Sequence, residues 1–343
     1  MKFKGLNVLF KDKLAKERFT FGLDIGSRQI KIVKLKLFKD TTELCGLEVS
    51  SVQLDVGALL KKFKHSLDIS YANVGVCGSS AVIRYVDFPL MNPAELKQAL
   101  RFEAQKHIPF SLNEVMLDGY ILKEFVKDNK MLVLIAAVKK DLIQQRLKLL
   151  EEAGLKANII DIDSVALVNA FNHNYAQDEF VKDKTIGLLN IGATLSSLNI
   201  LENNVPRLSR DIQIAGNNFT QKVVEAFGID FKTAEELKLK PDDEKKNRVA
   251  SSIEAVLAHL AGEVRVSFDY YESQSAASVS RIFLSGGGSQ FIGLKDKLSD
   301  LLGIEVQYWD PLKHITISPD MDSQKASSLS TQMAVAVGLA LRE

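Results

Sequence analysis

The chain has 343 residues, 46% hydrophobic and 25% charged, with 44 basic against 43 acidic side chains. That length supports two or three domains with a sizeable core, and so even a charge balance gives nucleic acid no general footing. Two cysteines, Cys45 and Cys77, argue for a reducing compartment without a disulfide framework, as two half-buried thiols or a single pair. The longest apolar runs, 131–138 and 333–341, fall far short of the roughly 20 residues that a bilayer span needs.

Residues 1–18 are basic, with Phe3, Leu6, Phe10 and Leu14 at near-helical spacing. They lack the apolar core of a signal peptide and read either as an amphipathic arm on an anionic membrane surface or as an arm packed on the body. From residue 19 the pattern is that of strands: "FTFGLDIG" and "QIKIVKLKLF" bracket a tight turn, and "LCGLEVSSVQL" continues the meander. A helical stretch, "DVGALLKKFKHSL", and a strand stretch, "YANVGVCGSSAVIRYVDFP", complete a first lobe expected over 19–88 and 159–184. Between them, residues 89–158 read as an inserted α-β-β-α module. It opens with Asn and Pro at the start of "NPAELKQALRFEAQKHIPF" and closes on "KKDLIQQRLKLLEEAG", whose final glycine suits a helix C-cap. A second lobe is expected over 185–226 and 263–343, with a small helical subdomain at 227–262 and an Asn-Asn turn at 203–204.

The second lobe starts as the first does. "GLDIGSRQIKIVKL" at 22–35 and "LLNIGATLSSLNIL" at 188–201 share the order apolar run, acid or amide, Ile, Gly, small polar residues, apolar run. Asp24 of the first copy is Asn190 in the second, 166 residues on. A hairpin turning at such a glycine presents backbone N–H groups with no Cβ in the way, which suits an anion. Two of them, with the glycine run "SGGGS" at 285–289 ahead of a helix, suit a nucleotide held between two lobes. The histidines His65, His107, His173, His259 and His314 are scattered and make no metal-ligand spacing.

The segments 21–35, 186–201 and 282–298 resemble the phosphate-1, phosphate-2 and adenosine motifs of the actin-like ATPase superfamily. "DIDSVALVNAF" and "QMAVAVGLAL" fall where that superfamily has its two hinge helices. The insert, most specifically Glu103 to Phe110, resembles that of the PilM family, actin-like proteins of type IV pilus assembly. The resemblance implies an α/β actin-like ATPase fold, two lobes around a nucleotide cleft with a small α-β-β-α domain inserted in the first. It implies ATP or ADP and Mg²⁺ as cofactors. Asp24, Gly26, Ser27 and Arg28 would meet the phosphates, with Asp24 holding Mg²⁺ through water. Gly192, Ala193 and Thr194 would form the second phosphate turn, beside Gly216 and Asn217. Glu235 and Lys238 would face ribose and base, or else make a plain helix salt bridge. Gly286, Gly287 and Gly288 would pass under the adenosine.

Asn190 and Asp163 take the positions where the superfamily polarises and orients the attacking water. An amide lacks the charge and Asp163 is a methylene shorter than Glu, so a nucleotide binder with slow or absent hydrolysis is expected. The resemblance further implies a scaffold at the inner face of the inner membrane. Its partner would be the cytoplasmic N-terminal tail of PilN, an inner-membrane pilus protein, with other pilus components beyond it. Glu103, Ile108, Pro109 and Phe110 would line the peptide groove or else pack the insert. The alternatives are a filament-forming ATPase like FtsA or MreB, or an active ATPase. The ending "GLALRE", without an amphipathic helix, and the lack of a transmembrane span weigh against FtsA and against type II secretion L-type relatives.

Overall fold

The structure, a computed structural model, describes residues 17–39, 41–52, 55–126 and 129–342. The expected basic arm lies outside these residues except for Glu17 and Arg18, as do two residues of the turn at 127–130.

In the first half, β1 (Arg18–Ile25), β2 (Gln29–Phe38) and β3 (Thr41–Ser51) form an antiparallel meander. After α1 (Val56–Ser66), β4 (Tyr71–Val76) lies parallel to β1. Then come β5 (Ala81–Pro89), α2 (Pro93–Ala104), β6 (Val115–Lys123), β7 (Lys130–Lys139) and α3 (Lys140–Glu152), before β8 (Lys156–Ile162) joins β4 in parallel. After α4 (Asp163–Tyr175), a second meander follows in β9 (Thr185–Ile191), β10 (Ser196–Glu202) and β11 (Val205–Ile212). Three helices succeed it, α5 (Gly216–Phe227), α6 (Phe231–Leu239) and α7 (Asp243–Gln274). The strands β12 (Arg281–Ser285) and β13 (Glu305–Tyr308), joined through α8 (Leu294–Leu302), extend the second sheet in parallel. Last are β14 (Thr316–Ile317), α9 (Ser323–Leu329) and α10 (Ala334–Ala340).

The sheet orders expose the duplication. The run β3-β2-β1-β4-β8 of the first sheet matches β11-β10-β9-β12-β13 of the second strand for strand, and β14 is an added edge beside β3. The central strands β1 and β9 read as nearly unbroken apolar runs because both faces of each sheet are covered. The Asn203–Asn204 turn forms as expected: both residues take positive φ, 52° and 65°, the left-handed pair that a tight hairpin demands.

Two expectations need correction. The insert is not α-β-β-α, because β5, expected in the first lobe up to residue 88, pairs antiparallel with β7 along its full length. The small sheet is therefore three-stranded, in the order β5-β7-β6, and begins at Ala81. Strand pairing is a long-range event, and the β5 sequence alternates in a way that serves either sheet. The small helical subdomain expected within the second lobe at 227–262 also has no end at 262, since α7 runs on to Gln274, and it shares a core with the second sheet. Ala234, Val249, Ile253 and Leu257 pack in one cluster with Leu189, Leu198 and Ile282.

A second core cluster spans both sheets. Val33 and Leu47 of the first, and Leu188 and Phe283 of the second, meet around Phe171 and Trp309. The helices α4 and α10 run through this shared core at backbone contact. A Cβ on Gly338 would lie 1.8 Å from the Ala166 carbonyl oxygen, and one on Gly22 of β1 would lie 1.9 Å from that of Ala336. Asn73 of β4, buried, ties down the end of α10 by donating from Nδ2 to the carbonyls of Leu339 (2.8 Å) and Arg342 (2.9 Å). Because the obstruction at Gly338 is backbone, Gly338→Ala cannot be relieved by a side-chain rotation. Overpacking there should outweigh the gain in helix propensity and cost about 2 kcal/mol or more, read as a lower urea midpoint at unchanged m-value.

Candidate functional site

The duplicated hairpins meet tip to tip. In the first, the Gly26 N–H donates to the Gln29 carbonyl at 3.0 Å; in the second, the Gly192 N–H donates to Leu195 at 3.0 Å. Each glycine is there because a Cβ would press on that same carbonyl oxygen, at 2.9 Å and 2.7 Å. Between the tips lies a cavity of about 390 Å³, within the range of small-molecule sites. Of the expected residues, Asp24, Gly26, Ser27, Arg28, Asp163, Asn190, Gly192, Ala193 and Thr194 all line it, as do Gly216, Asn217, Glu235 and Gly286–Gly288.

Direct contacts already bridge its rim. Ser27 Oγ lies 3.1 Å from Thr194 Oγ1, and Arg28 Nε donates to Asn217 Oδ1 at 3.1 Å. The Arg28 guanidinium also stacks 4.1 Å over the Phe231 ring, a cation–π contact that reaches from the first hairpin to α6.

The glycine run takes the shape expected but does not lead directly into an α-helix; Gly288 packs instead on Gly216, the first residue of α5. Gly286 has φ 91°, and a Cβ on it would lie 2.3 Å from the Ile191 carbonyl oxygen; a Cβ on Gly288 would lie 2.3 Å from that of Gly192. The run thus packs backbone to backbone against the second hairpin. It continues as a short 3-10 turn, Gly287–Ser289, and α8 starts only at Leu294, so the expected helix N-terminus is displaced from the cavity. Gly216 and Asn217 serve as struts: their N–H groups donate to the carbonyls of Gly192 (3.0 Å) and Ala193 (2.7 Å) and hold the second turn from behind.

Lys238 does not reach the cavity wall. It is buried beneath, where its Nζ donates to Glu235 Oε2 and Thr220 Oγ1, both at 2.9 Å, and to the Gly216 carbonyl at 3.3 Å. Burial pushes its pKa down, while Glu235 pulls it back up. The pair is therefore no exposed salt bridge: Glu235 faces the cavity and Lys238 braces both it and the strut at Gly216.

Asp24, Asn190 and Asp163 stand on the polar floor, and Asp211 also lines the cavity. Asp24 pairs with Lys31 Nζ at 2.8 Å. Asn190 accepts a hydrogen bond from Ser285 Oγ at 3.0 Å. Asp163, at the start of α4, has a buried Oδ1 without a hydrogen-bond partner. Burial, and after it the charge of Asp24, push its pKa up to about 7. Lys31 went unnoticed in the sequence, yet hairpin register could have found it, since it sits directly across from Asp24. Phe231, which Arg28 reaches across the cleft, carries no local signal.

A nucleotide fits this cavity: glycine turns with their backbone approach from two sides, and basic side chains lie on the wall. A carboxylate-held Mg²⁺ does not, because Asp24 is ion-paired through Oδ2, the second turn carries a neutral amide, and burial pushes the other two aspartates of the lining, Asp163 and Asp211, toward their neutral forms.

Of the expected groove residues, Pro109 is exposed, and the other three have partners within the insert. Ile108 is buried in the core of the insert with Phe88, Leu96 and Met131, and Phe110 packs against that core beneath Lys139 Nζ, 5.1 Å from its ring. Glu103 pairs with Lys106 at 2.8 Å. Helix α2 and strand β6 instead flank a groove of about 990 Å³, lined by Leu96, Lys97 and Leu100 on one side and Leu117, Gly119 and Tyr120 on the other.

Two equivalent sheets, two crossing helices at their junction and paired glycine hairpins over a cleft define the actin-like ATPase fold. The family described as Type IV pilus assembly protein PilM matches residues 22–343, and the chain belongs to that family. It is an actin-like protein of pilus assembly. Among solved structures it is similar to the PilM-PilN type IV pilus biogenesis complex, with 26% identity and a TM-score of 0.83 over 94% of this chain and 98% of that one. It also shares its fold with the ethanolamine utilization protein EutJ from Carboxydothermus hydrogenoformans, at 14% identity and a TM-score of 0.57 over 96% and 91% of the two chains.

The Asp163 carboxyl binds its proton more tightly in the folded chain than in the unfolded one, whose ordinary value is 3.8. Folding therefore takes up a proton between these values, and this contribution to stability is lost as pH rises toward 7. Asp163→Asn should flatten that slope and stabilise the protein at pH 8 by about 1–3 kcal/mol, measured by urea unfolding across pH 5–8.

Proposed function

We propose that the protein is an ATP-binding scaffold of type IV pilus assembly, with slow or absent hydrolysis, that captures the cytoplasmic N-terminal tail of a PilN-like inner-membrane protein. The likeness to the PilM-PilN complex over nearly the whole of both chains carries this reading. Among the described residues no helix is long and apolar enough to cross a membrane. Attachment at the inner face of the inner membrane would therefore come through the partner.

The groove beside α2 supports the tail-binding half. Strand β6 is an outer strand of its sheet, so among the described residues one row of its backbone groups has no strand partner, and an extended peptide can pair with such an edge. Met116 and Tyr120 are 56% and 68% exposed on it, and Lys97, Arg101 and Lys123 set a basic margin. The cavity between the hairpins supports the nucleotide half. Gly26, Ser27, Gly192, Ala193 and Thr194 would cradle the phosphates, Gly286–Gly288 would lie under the base and Glu235 would reach the ribose. Bound nucleotide would supply binding energy shared by both lobes. Asn190, whose amide oxygen is taken by Ser285, offers no charge to polarise a water, and Asp163 is held half-protonated near neutrality. Both weigh against rapid turnover.

The test is calorimetric titration with a peptide copying the N-terminal tail of the PilN-like protein of the same organism, with and without ATP. Saturable one-to-one binding is expected, and Tyr120→Asp should weaken it by about tenfold or more. A flat thermogram in both conditions would remove the scaffold reading, and steady phosphate release by the unmodified protein would remove the low-turnover part of it.

A further inference from the structure

The floor of the cleft departs from what a metal-dependent nucleotide site needs. Mg²⁺ demands a near-octahedral oxygen shell, keeps several waters and is held by one or two carboxylates together with phosphate oxygens. In this cleft the first candidate, Asp24, is committed to Lys31 at 2.8 Å, with the two side chains only 10% and 13% exposed. The pair is no chance rotamer. Asp24 and Lys31 are direct cross-strand partners in the β1–β2 register, so the backbone delivers them to each other. A dication bridged to Asp24 by water would share that carboxylate with the half-buried Lys31 ammonium, whose like charge disfavours it.

The second hairpin shows the same two positions changed together. Asn190 is the cross-strand partner of Ser197, as Asp24 is of Lys31. The acid has become an amide and the lysine a serine at matching sites of the repeat, so the two charges are absent as a pair. What remains of the acceptor is occupied, because Ser285, the partner of Asn190 across β12, donates to Oδ1 at 3.0 Å. Among the described residues no three His, Cys, Asp or Glu side chains converge to hold a metal ion. Cations, by contrast, stand on the wall: Lys31 and Arg28 both line the cavity.

We propose that this cleft holds its nucleotide without requiring a divalent cation, the phosphate charge being met by Lys31, Arg28 and the turn backbone. The inference rests on the nucleotide reading above. It makes the ammonium of Lys31 shared between Asp24 and a phosphate, and it turns the Asp-to-Asn difference between the hairpins from a lost catalytic group into part of the binding design.

The whole chain, purified and stripped of nucleotide, is titrated with ATP in excess Mg²⁺ and again in excess EDTA. The dissociation constants should agree within about threefold, and Asn190→Asp should bind about tenfold tighter with Mg²⁺ than with EDTA. Wild-type affinity that falls by about tenfold or more in EDTA overturns the inference while leaving nucleotide binding intact. An Asn190→Asp variant indifferent to Mg²⁺ would show that the amide is not what sets metal dependence. Absence of binding in both arms would overturn the nucleotide reading itself, and this inference with it.

Discussion

The architecture depends on two helices that touch at the backbone. Gly338 of α10 lies against the Ala166 carbonyl of α4, and Gly22 of β1 lies against α10 from the other side. These approaches need residues without a Cβ, and they let one core serve both sheets. With Phe171, Trp309 and Phe283 packed in the same cluster, the sheets are held at a fixed junction, and the ends of β1 and β9 must face each other across it. The cleft follows from that packing. Its two hairpins come from halves of the chain far apart in sequence, and neither could form a cavity alone.

Once the hairpins are opposed, little side-chain chemistry is needed to make an anion site. Backbone turns at Gly26 and Gly192 form one half and the Gly286–Gly288 run the other, with Gly216 and Asn217 bracing from behind. Such a site survives loss of a carboxylate because its shape is set by main-chain hydrogen bonds. On the reading proposed above, Asn190 would therefore be compatible with binding while working against hydrolysis. Lys238 illustrates the same economy: a buried lysine supports Glu235 and the Gly216 carbonyl and never meets the cavity.

The small sheet serves a different purpose. It hangs on the first sheet through the β4–β5 and α3–β8 connections and leaves β6 as an open edge beside α2. Among the described residues this edge, with Met116 and Tyr120 exposed, is unpaired, which is a liability unless something covers it; on the proposed reading the cover would be a partner's extended tail. Nucleotide and partner would thus be bound on separate structural units joined through the first sheet.

The chain's own order of residues determined a great deal. Alternation and turn residues placed most strands, the Asn-Pro pair capped α2, Gly154 marked the end of α3, and the repeated Gly turns revealed the duplication. They did so because caps, tight turns and hairpin registers are decided within a few residues. The packing decided the rest. Strand β5 went to the small sheet, Ile108 to its core and Lys238 beneath the cleft, while Arg28 reached across to Phe231. Each of these depends on a partner supplied by a distant segment or a cross-strand neighbour. No local pattern encodes which partner it will be, because the choice is made by the space and charge left once the two sheets close on α4 and α10.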